Sequence, residues 1–509
     1  MRIMANGFLP VFGILFLSLM GMQSINAQTT YKEKNRPQIH FSPKAHWVND
    51  PNGMVYYKGV YHLFFQYYPE ATVWGPMHWG HATSTDLVHW EEKPIALYPD
   101  SLGYIFSGSA VVDIHNTTGL GKNGVVPLIA LFTSHDPLGE KSGKVDFQNQ
   151  SLAYSLDEGN TWIKYSGNPV LKNPGIRDFR DPKVYWYDRE KKWIMTLATM
   201  DRITFYSAPD LIHWKKESEF GQYLGHHEGV WECPDLFPIR YHGKDIWVLL
   251  VNYNPGGPNK GSATQYFLGD FNGKEFKPFR PESKWFDYGP DEYAGITWSN
   301  TPGRHIFLGW MSNWLYANQV STDKWRNAMT LPRELGLEEH KGDYFLSSRP
   351  VKELDPLETS SQELASKVVS GGYILPLPIG SGIPCRLDME LGEATDFSFE
   401  VSNGIGETIR IGFDKTRKEF FFDRRNSGQV DFQKDFPSIS TMKRILPSGA
   451  MDFTLILDQS SMELFSDHGL NAMTGIFFPN QPYNQVKLVL KNTKAIKKLR
   501  YASLKGIWE

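Results

Sequence analysis

Ser84-Thr85-Asp86-Leu87-Val88-His89-Trp90 is a short polar turn closed by an aromatic, and degenerate copies of it punctuate the first half of the chain. It returns as Ser155-Leu156-Asp157-Glu158-Gly159-Asn160-Thr161-Trp162 and as Ser207-Ala208-Pro209-Asp210-Leu211-Ile212-His213-Trp214. A weaker copy is Gly269-Asp270-Phe271-Asn272-Gly273-Lys274-Glu275-Phe276. The closing aromatics lie 72, 52 and 62 residues apart. A strand, a turn built on an Asp side chain, then an aromatic opening the next strand describes one hairpin per unit. Units of this length suit four-stranded propeller blades, whereas a sandwich has no need of the same turn four times. Residues 36–340, at roughly 60 per unit, therefore predict a five-bladed β-propeller.

The sequence around these turns agrees. Met54-Val55-Tyr56-Tyr57, Tyr61-His62-Leu63-Phe64-Phe65-Gln66 and Ile246-Trp247-Val248-Leu249-Leu250-Val251 are strand runs bounded by Gly, Pro, Asn and Asp, and helical periodicity is scarce. Residues 341–361 are charged and polar and read as a connector. From 362 to 509 the pattern changes to alternating strands such as Phe397-Ser398-Phe399-Glu400-Val401 and Phe453-Thr454-Leu455-Ile456-Leu457, which predict a separate β-sandwich. The expected class is all-β throughout.

Among 509 residues, 53 basic and 56 acidic side chains leave a formal charge of −3, which gives no reason to expect nucleic acid or an anionic membrane as partner. Aromatics make up 14% of the chain. They suit the apolar faces of sugars, and they equally suit β-strands. Residues 1–27 read as a signal peptide: Arg2, an apolar stretch from Phe8 to Met20, and Ala27 before the cleavage point. That stretch is too short to span a bilayer comfortably, and no cysteine follows it to carry a lipid. A secreted or periplasmic protein without a membrane anchor is expected. Cys233 and Cys385, in different predicted domains and without metal-ligand spacing, read as free thiols.

Three acidic residues have unusual neighbours. Asp50 lies in His46-Trp47-Val48-Asn49-Asp50-Pro51-Asn52-Gly53, where proline restricts it to extended conformations and Asn52-Gly53 can supply positive φ, so a tight turn is expected. Asp181 also precedes proline, in Arg177-Asp178-Phe179-Arg180-Asp181-Pro182, and Glu232 lies in Val230-Trp231-Glu232-Cys233-Pro234-Asp235. Innermost strands of a propeller face one axis, so residues from separate blades can converge. Two carboxyl groups flanking a glycosidic bond are the minimum for its hydrolysis. Asp50, held charged by nearby N–H groups or Asn side chains, suits the nucleophile. Glu232 suits the acid, on the expectation that Trp231, Cys233 and Pro234 exclude water from it. Asp181, beside Arg180, is expected to stay ionised and to bind sugar hydroxyls. Taken singly, each has an ordinary alternative: a plain turn, a structural ion pair, a solvated strand residue.

Together with His40-x2-Pro43, Phe106-Ser107-Gly108-Ser109, Gly309-Trp310-Met311, Trp325-Arg326, Leu331-Pro332-Arg333-Glu334-Leu335 and Asp458-x-Ser460-Ser461-x-Glu463-x-Phe465, these motifs resemble glycoside hydrolase family 32 over nearly the whole mature chain. The resemblance implies a five-bladed propeller with a β-sandwich and retaining hydrolysis through a fructosyl-enzyme. By motif position it makes Asp50 the nucleophile, Glu232 the acid/base and Asp181 the transition-state stabiliser. Asn49, Gln66, Trp74, Phe106, Ser107, Arg180 and Trp310 would line the pocket for a terminal fructose. Val48, where the family commonly has methionine, is a conservative departure. His226-His227-Glu228 lacks ligand spacing and a third partner, so a solvated loop is expected there. Neither metal nor cofactor is implied, and the partner expected is a fructan or fructo-oligosaccharide, with sucrose as a further substrate. A fructosyltransferase or endo-acting enzyme would use the same three acids, and a fructan-binding protein would be expected to have lost one.

Overall fold

In a computed structural model, which describes residues 31–364, 372–375, 384–446, 448–492 and 495–508, each repeated turn joins the third and fourth strands of a blade. The expected signal peptide lies outside the described residues. Asp86 Oδ1 accepts from the backbone N–H groups of Val88 and His89, at 3.0 and 2.8 Å. Asp210 does the same for Ile212 and His213, again at 3.0 and 2.8 Å. In the fourth copy the role falls to Asn272, which accepts from Lys274 and Glu275. Trp162 and Trp214 brace their turns by donating Nε1–H to Gly159 and Leu211 carbonyls.

The blades are five antiparallel sheets. Their first strands are His46–Tyr57, Tyr104–Val112, Phe179–Tyr187, Val230–Tyr241 and Tyr293–Thr297. These strands pack on one another in chain order, and the fifth returns to the first. The ring is closed by Trp325–Arg326, which pairs in parallel with His46 and Trp47. Trp310 Nε1 and Asn327 Nδ2 both donate to the Val48 carbonyl at 3.1 Å.

The fifth blade explains why four turns serve five blades. Its outer strands, Arg333–His340 and Asp343–Pro350, are joined by Lys341-Gly342, both at positive φ (54° and 76°), a two-residue turn that needs no Asp. The expected connector at 341–361 is therefore corrected: Asp343–Pro350 is blade, and its charged residues lie on an outer strand with water on one side. Only the 3-10 turn Lys352–Leu357 intervenes before Glu358–Glu363 pairs with Ile496–Leu504 in the second unit.

That unit is a sandwich of two six-stranded sheets over a core including Phe399, Phe420, Phe422, Phe453 and Leu464, all buried. Both cysteines are free and buried. No helix among the described residues is long and apolar enough to cross a membrane.

Propeller and sandwich meet through buried charge. Arg333 donates to Asp287 Oδ2 (2.9 Å) and to Glu463 Oε2 (2.6 and 3.0 Å). His40 sits between Asp458 and Glu463, at 2.7 and 3.1 Å. Burial works against protonation of His40, but hydrogen bonds and charge from the two carboxylates win and push it up to about 9. The folded form holds this proton more tightly than the unfolded chain. The stabilisation is thus complete below about pH 6.5 and is lost as pH rises through about 9, a difference of roughly 3 kcal/mol. Denaturant midpoints should fall between about pH 6 and pH 9.5; a flat profile in the wild type, or an equally steep one in His40→Gln, would contradict this.

Candidate active site

Each of the five first strands is irregular near its start. The register of the ladder shifts between Asn49 and Pro51, between Ile105 and Gly108, opposite Thr196/Ala198 in the third blade, between Glu232 and Asp235, and between Tyr293 and Ile296. Three of these bulges carry prolines, Pro51, Pro182 and Pro234, which cannot donate to a ladder. A bulge re-aims side chains that strict alternation would bury or expose. The turn expected at Asp50 is thus a bulge inside a 12-residue strand. Asn52 replaces the lost ladder bonds, donating to the Asp50 carbonyl (2.8 Å) and accepting from Gly108 N–H (3.1 Å). Gly53, at φ +51°, lies where a Cβ would fall 2.6 Å from the Phe64 ring, so only glycine fits.

The bulges of the first four blades deliver residues to one cavity of about 310 Å³, whose lining includes Asn49, Asp50, Gln66, Trp74, Phe106, Ser107, Arg180, Asp181 and Glu232. Asp50 accepts hydrogen bonds from Ser107 Oγ (2.6 Å) and Asn49 Nδ2 (2.8 Å). Asn49 is itself fixed by Trp47 Nε1 at 2.7 Å. Burial, reinforced by the charge of Glu232, raises the Asp50 carboxyl above its ordinary value, and the two hydrogen bonds oppose the rise. Cys233 Sγ lies 3.6 Å from both Asp50 Oδ2 and Asp181 Oδ2, so it bridges two of the acids.

Two expectations about the acids change. Arg180 turns its guanidinium to Glu232 Oε1 (2.8 and 3.2 Å) and Asp178 (2.6 Å), and stands 3.9 Å from Asp181. Asp181 keeps one backbone hydrogen bond, from Cys233 N–H at 3.0 Å. Burial, together with the charges of Glu232 and Asp50, pushes its carboxyl up to about 7 despite Arg180. Burial thus outweighs the neighbouring guanidinium, and the Asp181 carboxyl is raised where its neighbour alone would lower it. Glu232, expected in apolar surroundings, instead has polar partners on both oxygens: Arg180 on Oε1 and the Tyr293 hydroxyl on Oε2. Trp231 is buried away from it, donating to the His226 carbonyl.

Trp310 does not line the cavity. It is wholly buried beneath Trp47 and Trp314, its N–H spent on Val48, and Trp314 reaches the cavity in its place. Trp74, 40% exposed, stands at the mouth with its backbone N–H on Asn318 Oδ1. Gln66 is buried, and among the described residues its Nε2 has no partner, a donor left over in the lining. Phe106 stacks on His135 at 4.1 Å. His135, Gln148, Asp178, Asn254, Trp314 and Tyr293 were not singled out from sequence. Of these, Asp178 alone carried a signal, lying two residues before Arg180. His226 and His227 stack on Trp285 and Trp231. Among the described residues no three His, Cys, Asp or Glu side chains are grouped to hold a metal ion.

Residues 40–350 match the model of the glycosyl hydrolases family 32 N-terminal domain, and residues 353–503 match the family 32 C-terminal model. The chain belongs to glycoside hydrolase family 32. Its relatives in that family include a levanase of Bacillus subtilis, 44% identical over 94% of this chain and 72% of the relative. An extracellular exo-inulinase of Aspergillus niger is 38% identical over 90% of this chain and 92% of the relative. Among solved structures, an exo-inulinase from Aspergillus awamori aligns with a TM-score of 0.85 at 33% identity, covering 94% of this chain and all of the other. A β-fructofuranosidase from Schwanniomyces occidentalis complexed with fructosyl-erythritol aligns at 0.83 and 31%, covering 95% of this chain. As a family 32 glycoside hydrolase the protein is an all-β enzyme with its cavity at the axis of the propeller.

Proposed function

We propose that this glycoside hydrolase is an exported exo-β-fructosidase that removes terminal fructose from fructans, and from sucrose, with retention of configuration. The observation that carries the reading is the convergence of Asp50, Asp181 and Glu232, from three blades, on one cavity with Cys233 touching two of them. Asp50 attacks C2 of the fructosyl unit as Glu232 protonates the departing glycosidic oxygen, giving a covalent fructosyl-enzyme. Glu232 then takes a proton from water, which attacks C2 and frees both fructose and Asp50. Ser107 and Asn49 hold the attacking carboxylate, and Asp181 binds ring hydroxyls. Gln66, with its free NH2, and Arg180 are further hydrogen-bond donors to the sugar, while Trp74 and Phe106 supply apolar faces. A cavity of about 310 Å³ is at the small end for ligand sites, which favours engulfing a chain end over threading a chain through. The names of the levanase, exo-inulinase and β-fructofuranosidase relatives support the substrate class. The apolar leader and the extracellular relative support export.

A time course with levan, inulin and sucrose tests this. Fructose alone from the earliest point is expected; early oligosaccharides would overturn exo action, and longer chains grown from sucrose would overturn hydrolysis. Tyr293 gives a finer test. It is buried and donates to Glu232 Oε2 from the fifth blade. Tyr293→Phe removes one hydrogen bond to a carboxylate and should lower kcat/KM by about 10- to 100-fold. An unchanged value would remove Tyr293 from the acid/base machinery.

A further inference from the structure

A second concavity, of about 850 Å³, opens at the far ends of the same strands that carry the catalytic acids. Asp181 begins the strand that Tyr185 and Tyr187 end, and Glu232 begins the strand that Arg240 ends. At about 3.3 Å per residue the two openings are roughly 20–25 Å apart, on opposite faces of the propeller. The hairpins of blades three, four and five build this groove. Its floor is aromatic: Trp247 is buried, and the Tyr185 ring meets it edge-on at 5.5 Å. Its wall is Phe279, 41% exposed, set against Tyr344 at 6.0 Å. Tyr344 is in turn braced by Tyr241 at 5.7 Å.

Phe279 thus offers the groove an apolar ring face backed by two tyrosines. The charges around it identify the class of ligand. Five basic and five acidic side chains line the groove, so no net field selects an anion or a cation. Arg189, Lys244 and Arg280 make no side-chain hydrogen bond or ion pair among the described residues, which leaves donors available. Aromatic faces combined with spare donors and acceptors at zero net charge suit a neutral polyhydroxylated chain. We propose that this far-face groove is a second, non-catalytic binding site for the fructan polymer. The proposal rests on the fructosidase reading of the axial cavity. A chain held here would keep its free ends at high local concentration around the molecule, raising the capture of polymer without touching the chemistry.

The test uses the whole chain carrying Glu232→Gln, so that polymer is not consumed, on native gels containing levan or inulin. Adding Phe279→Ala and Tyr344→Ala should weaken retardation by about tenfold, the worth of two lost aromatic contacts. In the active background the same pair should raise KM for polymer and leave kcat/KM for sucrose unchanged, which also shows that the fold is intact. Phe279→Trp, which keeps the aromatic face, should retain the retardation. Equal retardation with and without the paired alanines, loss of retardation in Phe279→Trp, or equal retardation by a β-glucan would overturn the proposal. Failure of the underlying reading looks different: the unsubstituted enzyme would release no fructose from any fructan.

Discussion

Asp50→Asn is expected to lower kcat on every fructoside by about 10⁴-fold or more, the scale seen when a covalent nucleophile is lost. The amide keeps the shape of the carboxyl: its oxygen can accept from Asn49, and its NH2 can donate to the Ser107 hydroxyl, which accepts as well as donates. What it lacks is the electron pair that bonds to C2. Substrate should therefore still bind, with affinity measurable by calorimetry near the wild-type KM. Stability should hold or rise, because burial disfavours the charged form of Asp50 and the substitution removes that charge. Turnover within tenfold of wild type would sink the nucleophile assignment.

Removal of the proton donor should leave a different signature. Glu232→Ala should cost about 10²- to 10⁴-fold with a sugar as leaving group, and far less with a nitrophenyl fructoside whose leaving oxygen needs no proton. Azide, small enough for the space vacated, should restore turnover of the activated substrate and appear in the product as a fructosyl azide. The alanine also strands Arg180, whose Nε and Nη2 both donate to Glu232. Glu232→Gln, which keeps an acceptor there, separates that disturbance from the lost proton transfer. Equal losses for both leaving groups would place Glu232 outside proton transfer.

The parts of this molecule that sequence revealed share one property: their signal is local. Asp50-Pro51, Asp181-Pro182 and Cys233-Pro234 announce interrupted ladders within a few residues, and the Asp turns announce hairpins. Tyr293 and Trp314 have no such neighbours; each reaches the site because a distant strand happens to face it, which only the closed ring decides. Trp310 failed the other way. Its motif is genuine, but Gly309 and Trp310 alternate across a strand, and the sequence could not show that Trp310 faces Trp47 rather than the cavity. The surroundings of Glu232 have no local signal for the same reason, since its partners come from the third and fifth blades. The charged stretch at 341–361 looked like a connector because the fifth blade turns on Lys341-Gly342, without the Asp that marks the other hairpins.

The clasp that Trp325–Arg326 places on His46 and Trp47 bears on when the enzyme becomes active. Asp50 is the first acid to emerge during synthesis, yet its strand is clamped by residues made some 270 positions later. A nascent chain holds Asp50 on an unfastened strand. Competence therefore arrives in a single step near the end of the propeller. Until then the three acids are scattered along an open polypeptide, and no finished site exists.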